Sequence, residues 1–383
     1  MKLNPATLAS LVLLLVTHAR ADVTAQNWTN VTGEKQSVFS IGHTDVDLRP
    51  VEPAKPKDPP SLALFVGDQR VTKTPIYPGK LYHIAVISKS GKTQVFLNGQ
   101  PESDALNLDL KAGDETAITP EKNLADFKSG VAQRVHHGVI TVGHRGDNKG
   151  SPENTNISYV NAIANKTPIV EMDLRLTKDD VLVLMHDPTV NRTSNGKGPI
   201  VDMTLAEAEK LDAGSWKDKR KYAGEHIPTV ETICETCRGR AVMMLDLKCT
   251  GLGESLAALK KKLDFPSDQW ILAPWEDDEG AALRKHLPAD IPMIRLTSKI
   301  PTDHFDDAYF SRMKQIGFTG FSVNWQHLSA AFIDAAHAHA LNVYAWTVND
   351  PVDIAGAVVN GVDGIITDDA PTVIKLVDDV TKK

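Results

Sequence analysis

Cysteine is scarce in this chain: three in 383 residues, at Cys234, Cys237 and Cys249. Three thiols exclude a disulfide-built scaffold. Cys234 and Cys237 stand in C-E-T-C, a spacing that can pair in an exported chain and leave Cys249 over. No second C-x-x-C or histidine pair stands nearby, which argues against structural zinc. Thiols on or beside a helix, with no catalytic part, are the plainer expectation. Long hydrophobic runs are also missing. The run Leu8 to Val16 is well short of the ~20 apolar residues a membrane helix needs, and no later segment is long enough. Long basic runs are absent and the formal net charge is −7, so nucleic acid is not an expected partner.

The chain starts with Lys2, the short apolar run, and then Ala19-Arg20-Ala21. This is the pattern of a cleaved export signal over residues 1–21, and it implies a periplasmic or extracellular protein. Residues 22–130 follow, with runs such as Ser61–Val66, Leu81–Ile87 and Thr93–Leu97 separated by Gly67-Asp68, Pro78-Gly79, Ser90-Gly91 and Asn98-Gly99. Short strands with such turns predict a small all-β sandwich. Val51 to Pro60, with four prolines, reads as an exposed loop. The stretch L-Y-H-I-A-V-I-S-K-S-G-K-T-Q-V-F-L-N-G resembles the central hairpin of a laminin-G or concanavalin-like domain. That resemblance implies either glycan contact or a spacer role.

From residue 135 to 383 the pattern changes to apolar strand-like runs alternating with amphipathic stretches. The runs are Gly138–Val142, Pro168–Leu174, Val181–Met185, Ala241–Leu247, Trp270–Ala273, Pro292–Leu296, Gly320–Val323, Asn342–Thr347 and Gly364–Thr367. Between them lie helical patterns such as Thr204–Leu211, which opens with a capping box, Glu254–Leu263, Glu279–His286 and Ser329–Ala340. The fold class is therefore α/β, a (β/α)8 TIM barrel behind a small β domain. Nine runs exceed eight strands by one. Only the short turn T-K-D-D separates Glu171–Leu176, the end of the second run, from Val181–His186, the third. A parallel neighbour needs a crossover of a dozen or so residues, so these two must form an antiparallel hairpin. That hairpin carries His186 across from Glu171 to Asp173.

Strand ends are where such barrels keep their chemistry. Glu171 and Asp173 alternate onto one strand face and repel unless a cation sits between them. Asp246 is a third candidate ligand, and oxygen donors without thiolates favour one hard divalent cation, Mg²⁺ or Ca²⁺. Lys248 shares the face of Asp246 and offers a point charge to a phosphate. His144 and His186 end two strands, and imidazole is the side-chain group suited to act as both acid and base near neutral pH. Arg145 can clamp two phosphate oxygens, and Gly146 lets the backbone turn sharply. Trp346 can wall the leaving-group side, with Trp275 and Trp325 as weaker rivals. Glu153 can touch a metal, a substrate hydroxyl or a helix end.

Taken together, H-R-G…P-E-N-T, E-M-D, H-D-P-T-V-N-R-T, I-P-T-V-E, D-L-K, A-W-T-V-N and G-V-D-G-I-I-T-D resemble the glycerophosphodiester phosphodiesterase family over residues 137–376. The resemblance implies a TIM barrel, one divalent cation, and hydrolysis of small glycerophosphodiesters to sn-glycerol 3-phosphate and an alcohol. Carried over, His144 and His186 are the acid–base pair, Glu171 and Asp173 are metal ligands, and Arg145 binds phosphate. The family often has Glu where Asp246 stands. D-x-K also resembles sphingomyelinase D-like phospholipases, so a lipid phosphodiesterase or lysophospholipase D is the first alternative. A glycan-binding protein with a non-catalytic barrel is the second.

Overall fold

The computed structural model describes residues 23–30, 36–41, 44–51, 61–66, 69–71, 81–89, 92–97, 100–101, 138–300 and 305–381. The expected export signal, residues 1–21, and the proline-rich stretch 52–60 lie outside these residues. The described N-terminal strands form two small antiparallel sheets. In one, Val23–Asn30 pairs with Leu81–Lys89, which pairs with Lys92–Leu97 and then Gln100–Pro101. In the other, Gln36–Ile41, Thr44–Val51, Ser61–Val66 and Gln69–Arg70 follow in chain order. Strand periodicity places Val46 and Leu48 two apart on one face, and Leu62, Leu64 and Val66 likewise, and all five are buried.

Eight parallel strands make the barrel. They are Ile140–Gly143, Ile169–Leu176, Val242–Leu247, Trp270–Ala273, Ile294–Thr297, Gly320–Asn324, Asn342–Trp346 and Gly364–Thr367. The eighth pairs with the first. The fourth and fifth close the ring through a parallel bridge, Leu272↔Met293. The surplus run, third in chain order, forms the return strand Leu182–Leu184, antiparallel to the second barrel strand in the register Leu174↔Leu184 and Leu176↔Leu182.

Alternation along each strand sorts side chains into two apolar layers. Val142, Ile169, Met244, Ile294 and Ile366 fill the barrel interior. Val170, Met172, Met243 and Leu245 point outward against the helices. A third cluster, including Val183, Val190, Ile200 and Ile227, is the core of the excursion between the return strand and the third barrel strand. The capping box ahead of the excursion's helix Leu205–Ala208 is present: the Glu207 carboxylate accepts from the Thr204 N–H at 2.8 Å. Cys234 and Cys237 sit free on the buried side of helix Val230–Cys237, and burial pushes both thiols up to about 12. The thiol pairing open in the sequence is therefore not made. The reason is packing: the two thiols serve as small apolar groups in the outer layer.

Candidate active site

The interior face of the second strand runs Ile169, Glu171, Asp173, Arg175, and that of the third runs Met244, Asp246, Lys248. Period-two alternation therefore changes each face from apolar to charged as the strand reaches the barrel mouth. Parallel register sets Asp173 beside Asp246. One oxygen each from Glu171, Asp173 and Asp246 lies within 4.8 Å of the others, and all three residues are buried. Among the described residues this is the one such acidic group.

Three buried carboxylates at this spacing cannot all hold charge unaided. Burial, then repulsion from Asp173 and Asp246, drives the Glu171 carboxyl well above its ordinary range. Burial also pushes Asp246 up to about 6. Asp173 goes the other way: burial opposes its charge, but Lys248 and Arg145 hold it down at about 2. Lys248 Nζ lies 2.5 Å from Asp246 Oδ2 and 3.2 Å from Asp173 Oδ1. Arg145 Nε lies 3.2 Å from Asp173 Oδ2. Neither contact to Asp173 has hydrogen-bond geometry, so Asp173 Oδ1 and Arg145 Nε are buried without a hydrogen-bond partner. Two cations against three carboxylates, with a carboxylate oxygen left over, is a donor set that fits one further hard cation.

Both histidines arrive where the strand reading put them. His144 follows the first strand, and its Nδ1 lies 2.6 Å from Asp368 Oδ1, just past the eighth strand. His186 follows the return strand, and its Nδ1 lies 2.8 Å from Asp187 Oδ1. Burial works against charge on Asp368, but its bonds from His144, Asn148 and Asn349 outweigh that and keep it ionised. Asp187 is likewise held below its ordinary value, chiefly by Arg192. An ionised carboxylate only accepts hydrogen bonds, so Nδ1 of each ring must donate, which leaves Nε2 for the site. Both imidazoles act electrostatically on Asp173. Burial lowers the His186 pKa and favours its neutral form.

Arg145 has φ 55° and Gly146 φ 86°. This left-handed pair turns the chain so that the Arg145 N–H donates to Glu171 Oε2 at 2.8 Å. A Cβ on Gly146 would come within 2.4 Å of Ser158 Oγ, so the turn requires glycine. Arg145 Nη1 donates to Glu153 Oε1 at 2.6 Å. Glu153, for which the sequence left three roles open, instead lies between two arginines, since its other oxygen accepts from Arg192 at 2.8 Å.

These groups surround a cavity of about 180 Å³, lined by His144, Arg145, Glu171, His186, Asp246 and Lys248 over an apolar floor of barrel residues. Trp346 and Trp275 both border it, and their rings meet edge to face at 5.8 Å. Trp275 stands closer to the acids than its ranking as a rival implied, because its Nε1 donates to Asp246 Oδ1 at 2.8 Å. Trp325 packs against the outer core instead.

Sequence reasoning missed four supporting groups. Asn154 donates to Asp173 Oδ2 at 2.7 Å. Arg175 donates to the backbone carbonyls of His186 and Lys248. Asp187 and Asp368 orient the histidines. Arg175 was recoverable, since it continues the alternation E-M-D-L-R. Asp368 was not, because its meeting with His144 spans the whole barrel.

The model of the glycerophosphoryl diester phosphodiesterase family matches residues 144–372. The glycerophosphodiester phosphodiesterase of Caldanaerobacter subterraneus is 31% identical over 246 residues, which is 62% of this chain and 98% of that protein. Among solved structures, an Oleispira antarctica phosphodiesterase in complex with the product sn-glycerol-3-phosphate is 28% identical, with a TM-score of 0.57, over 63% of this chain and 97% of that one. The Agrobacterium tumefaciens glycerophosphodiester phosphodiesterase is 26% identical, with a TM-score of 0.52, over 61% of this chain and 98% of its own.

Proposed function

The chain belongs to the glycerophosphoryl diester phosphodiesterase family and is a glycerophosphodiester phosphodiesterase, and from that premise we propose that it hydrolyses small glycerophosphodiesters to sn-glycerol 3-phosphate and an alcohol by acid–base transfer between His144 and His186. The observation that carries this reading is the meeting of two carboxylate-oriented imidazoles with three buried acids at one cavity. The product complex of the Oleispira phosphodiesterase supports the choice of glycerol 3-phosphate.

Glu171, Asp173 and Asp246 are the residues that would hold one divalent cation, Mg²⁺ or Ca²⁺. Such an ion, when bound, supplies Lewis-acid charge to a phosphoryl oxygen. The chain's own residues do the rest. One histidine takes the proton from the attacking oxygen at Nε2, and the other delivers a proton from Nε2 to the departing alkoxide. The burial that keeps His186 neutral suits the accepting role. Arg145 and Lys248, both at the cavity wall, offset charge that accumulates on the phosphoryl oxygens. Trp346 and Trp275 shield the leaving-group side from water.

In the same proposal residues 1–21 are a cleaved export signal, residues 22–130 a laminin-G or concanavalin-like β-sandwich able to contact glycans, and residues 135–383 the catalytic domain. The antiparallel pairing of Leu81–Lys89 with Lys92–Leu97 supports the sandwich hairpin. No described helix is long and apolar enough to cross a membrane.

The test is turnover of glycerophosphocholine and of lysophosphatidylcholine, each with and without a chelator. Release of glycerol 3-phosphate from the first, abolished by chelator and restored by a divalent cation, is expected. Preference for the lysolipid would move the assignment to a lipid phosphodiesterase. Unchanged turnover in chelator would remove the cation from the scheme. A cyclic phosphate among early products would identify the substrate's neighbouring hydroxyl as nucleophile, and its absence would identify water.

A further inference from the structure

Arg192 lies in the excursion after the return strand, outside the cavity lining. Its guanidinium makes two two-point pairings. Nε and Nη2 donate to Asp187 Oδ2 and Oδ1 at 2.8 and 3.0 Å. Nη1 and Nη2 donate to Glu153 Oε2 and Oε1 at 2.8 Å each. Asp187 Oδ1 is the atom that holds His186 Nδ1, and Glu153 Oε1 is the atom that holds Arg145 Nη1. An unbroken line of charge-assisted bonds therefore runs from His186 through Asp187, Arg192 and Glu153 to Arg145. Its two ends both face the cavity.

We propose that Arg192 is a positioning residue, which through Asp187 and Glu153 holds the acid–base imidazole of His186 and the phosphate-facing guanidinium of Arg145 in mutual register. The inference rests on the functional roles given above to those two residues. Its physical basis is the fixed planar fork of arginine, which can meet two carboxylates bidentately where a lysine ammonium offers only a point charge. The fork has a firm base. The Thr193 hydroxyl donates to Met185 Sδ at 3.4 Å, Ser194 Oγ to the Val190 carbonyl at 2.7 Å, and the Gly198 N–H to Asn191 Oδ1 at 2.8 Å. The imidazole needs such a brace. The His186 side chain is 36% exposed and the Asp187 side chain 27% exposed. Glu153 is 7% exposed, so removing Arg192 leaves a buried carboxylate paired with Arg145 and draws Arg145 toward it. One substitution should then disturb proton transfer and phosphate binding together.

The test is steady-state hydrolysis of glycerophosphocholine by cation-loaded wild type, Arg192→Gln, Arg192→Lys, Asp187→Asn and Glu153→Gln. Arg192→Gln should lower kcat by on the order of 10²-fold, the usual cost of a misplaced catalytic group, and should also raise KM. Asp187→Asn should act mainly on kcat and Glu153→Gln mainly on KM. Adding Asp187→Asn to Arg192→Gln should lower kcat little further, because both break the same line. Added guanidinium ion should restore part of the activity of Arg192→Ala. If Arg192→Gln does not fold, Arg192→Lys carries the test: it should melt near the wild type yet recover neither constant fully. Kinetic constants within about twofold of wild type in a folded Arg192 variant overturn the proposal, as does a loss fully explained by the unfolded fraction. Those outcomes leave wild-type turnover intact. Failure of the wild type itself on this substrate would instead defeat the functional reading.

Discussion

In the proposed scheme His144 and His186 carry the proton transfers, and each is held by the carboxylate that its Nδ1 meets. Replacing either by alanine should cut kcat by about 10²–10⁴-fold, the usual contribution of a positioned acid or base, with little change in melting temperature. Wild-type turnover in both variants would end the acid–base scheme. Gly146 offers a test of geometry without chemistry. Alanine there meets both a left-handed φ of 86° and the Ser158 hydroxyl. The substitution should destabilise the protein by roughly 1–3 kcal/mol, as overpacking does, and thermal unfolding would reveal it; an unshifted melt would mean the turn relaxes freely. At this scale the eight site residues drawn from the sequence all reach one place except that Trp346 shares its wall with Trp275. They were legible because a charged residue that interrupts an apolar strand must face something polar. Asp368, Asn154 and Arg192 were not legible, because a polar residue in a loop carries no periodicity to say which way it points.

Among elements, the second strand and its return strand show how far local pattern reaches. Their short connecting turn forbids a parallel crossover, and the antiparallel register follows. The barrel strands were legible for a related reason: buried on both faces, they read as continuous apolar runs bounded by polar turns. Helix ends were less legible. The stretch expected as Thr204–Leu211 is helical only over Leu205–Ala208, since the Thr204 cap fixes its start while nothing comparable fixes its end. One helix-to-strand clasp makes a pH prediction. His337 Nε2 lies 2.8 Å from Asp363 Oδ2, tying helix Ala330–Ala338 to the start of the eighth strand. The bond to Asp363 raises the His337 pKa against the opposing effect of burial. A raised folded pKa means that the folded state binds the proton more tightly. The clasp therefore stabilises fully below the unfolded value of about 6.5 and fades as pH rises through the folded value. The melting-temperature gap between wild type and His337→Ala should be wider near pH 5.5 than near pH 8.5, with those pH values chosen to be about a unit or more either side of the unfolded pKa. An equal gap at both would show that the pair carries no pH-dependent stability.

For the molecule as a whole, the barrel does one thing that no segment does alone. Its ring closure brings the eighth strand against the first, and so Asp368 against His144. It also gathers Glu171, Asp173 and Asp246 from two neighbouring strands over an apolar floor, where burial makes their mutual repulsion severe. The N-terminal strands were partly legible. Ser61–Val66 has the expected bounds, whereas V-T-A-Q-N-W-T-N at Val23–Asn30 lacks apolar alternation and gains its strand form from pairing with Leu81–Lys89. The claim that organises all of this is that the three acids hold one hard divalent ion beside two imidazoles. The most direct measurement is anomalous diffraction from crystals of the wild-type protein equilibrated with Mn²⁺. The expected result is a single strong peak among the carboxylates of Glu171, Asp173 and Asp246, at the cavity lined by His144 and His186. A map with no peak there, or with the ion held by other residues, would contradict it.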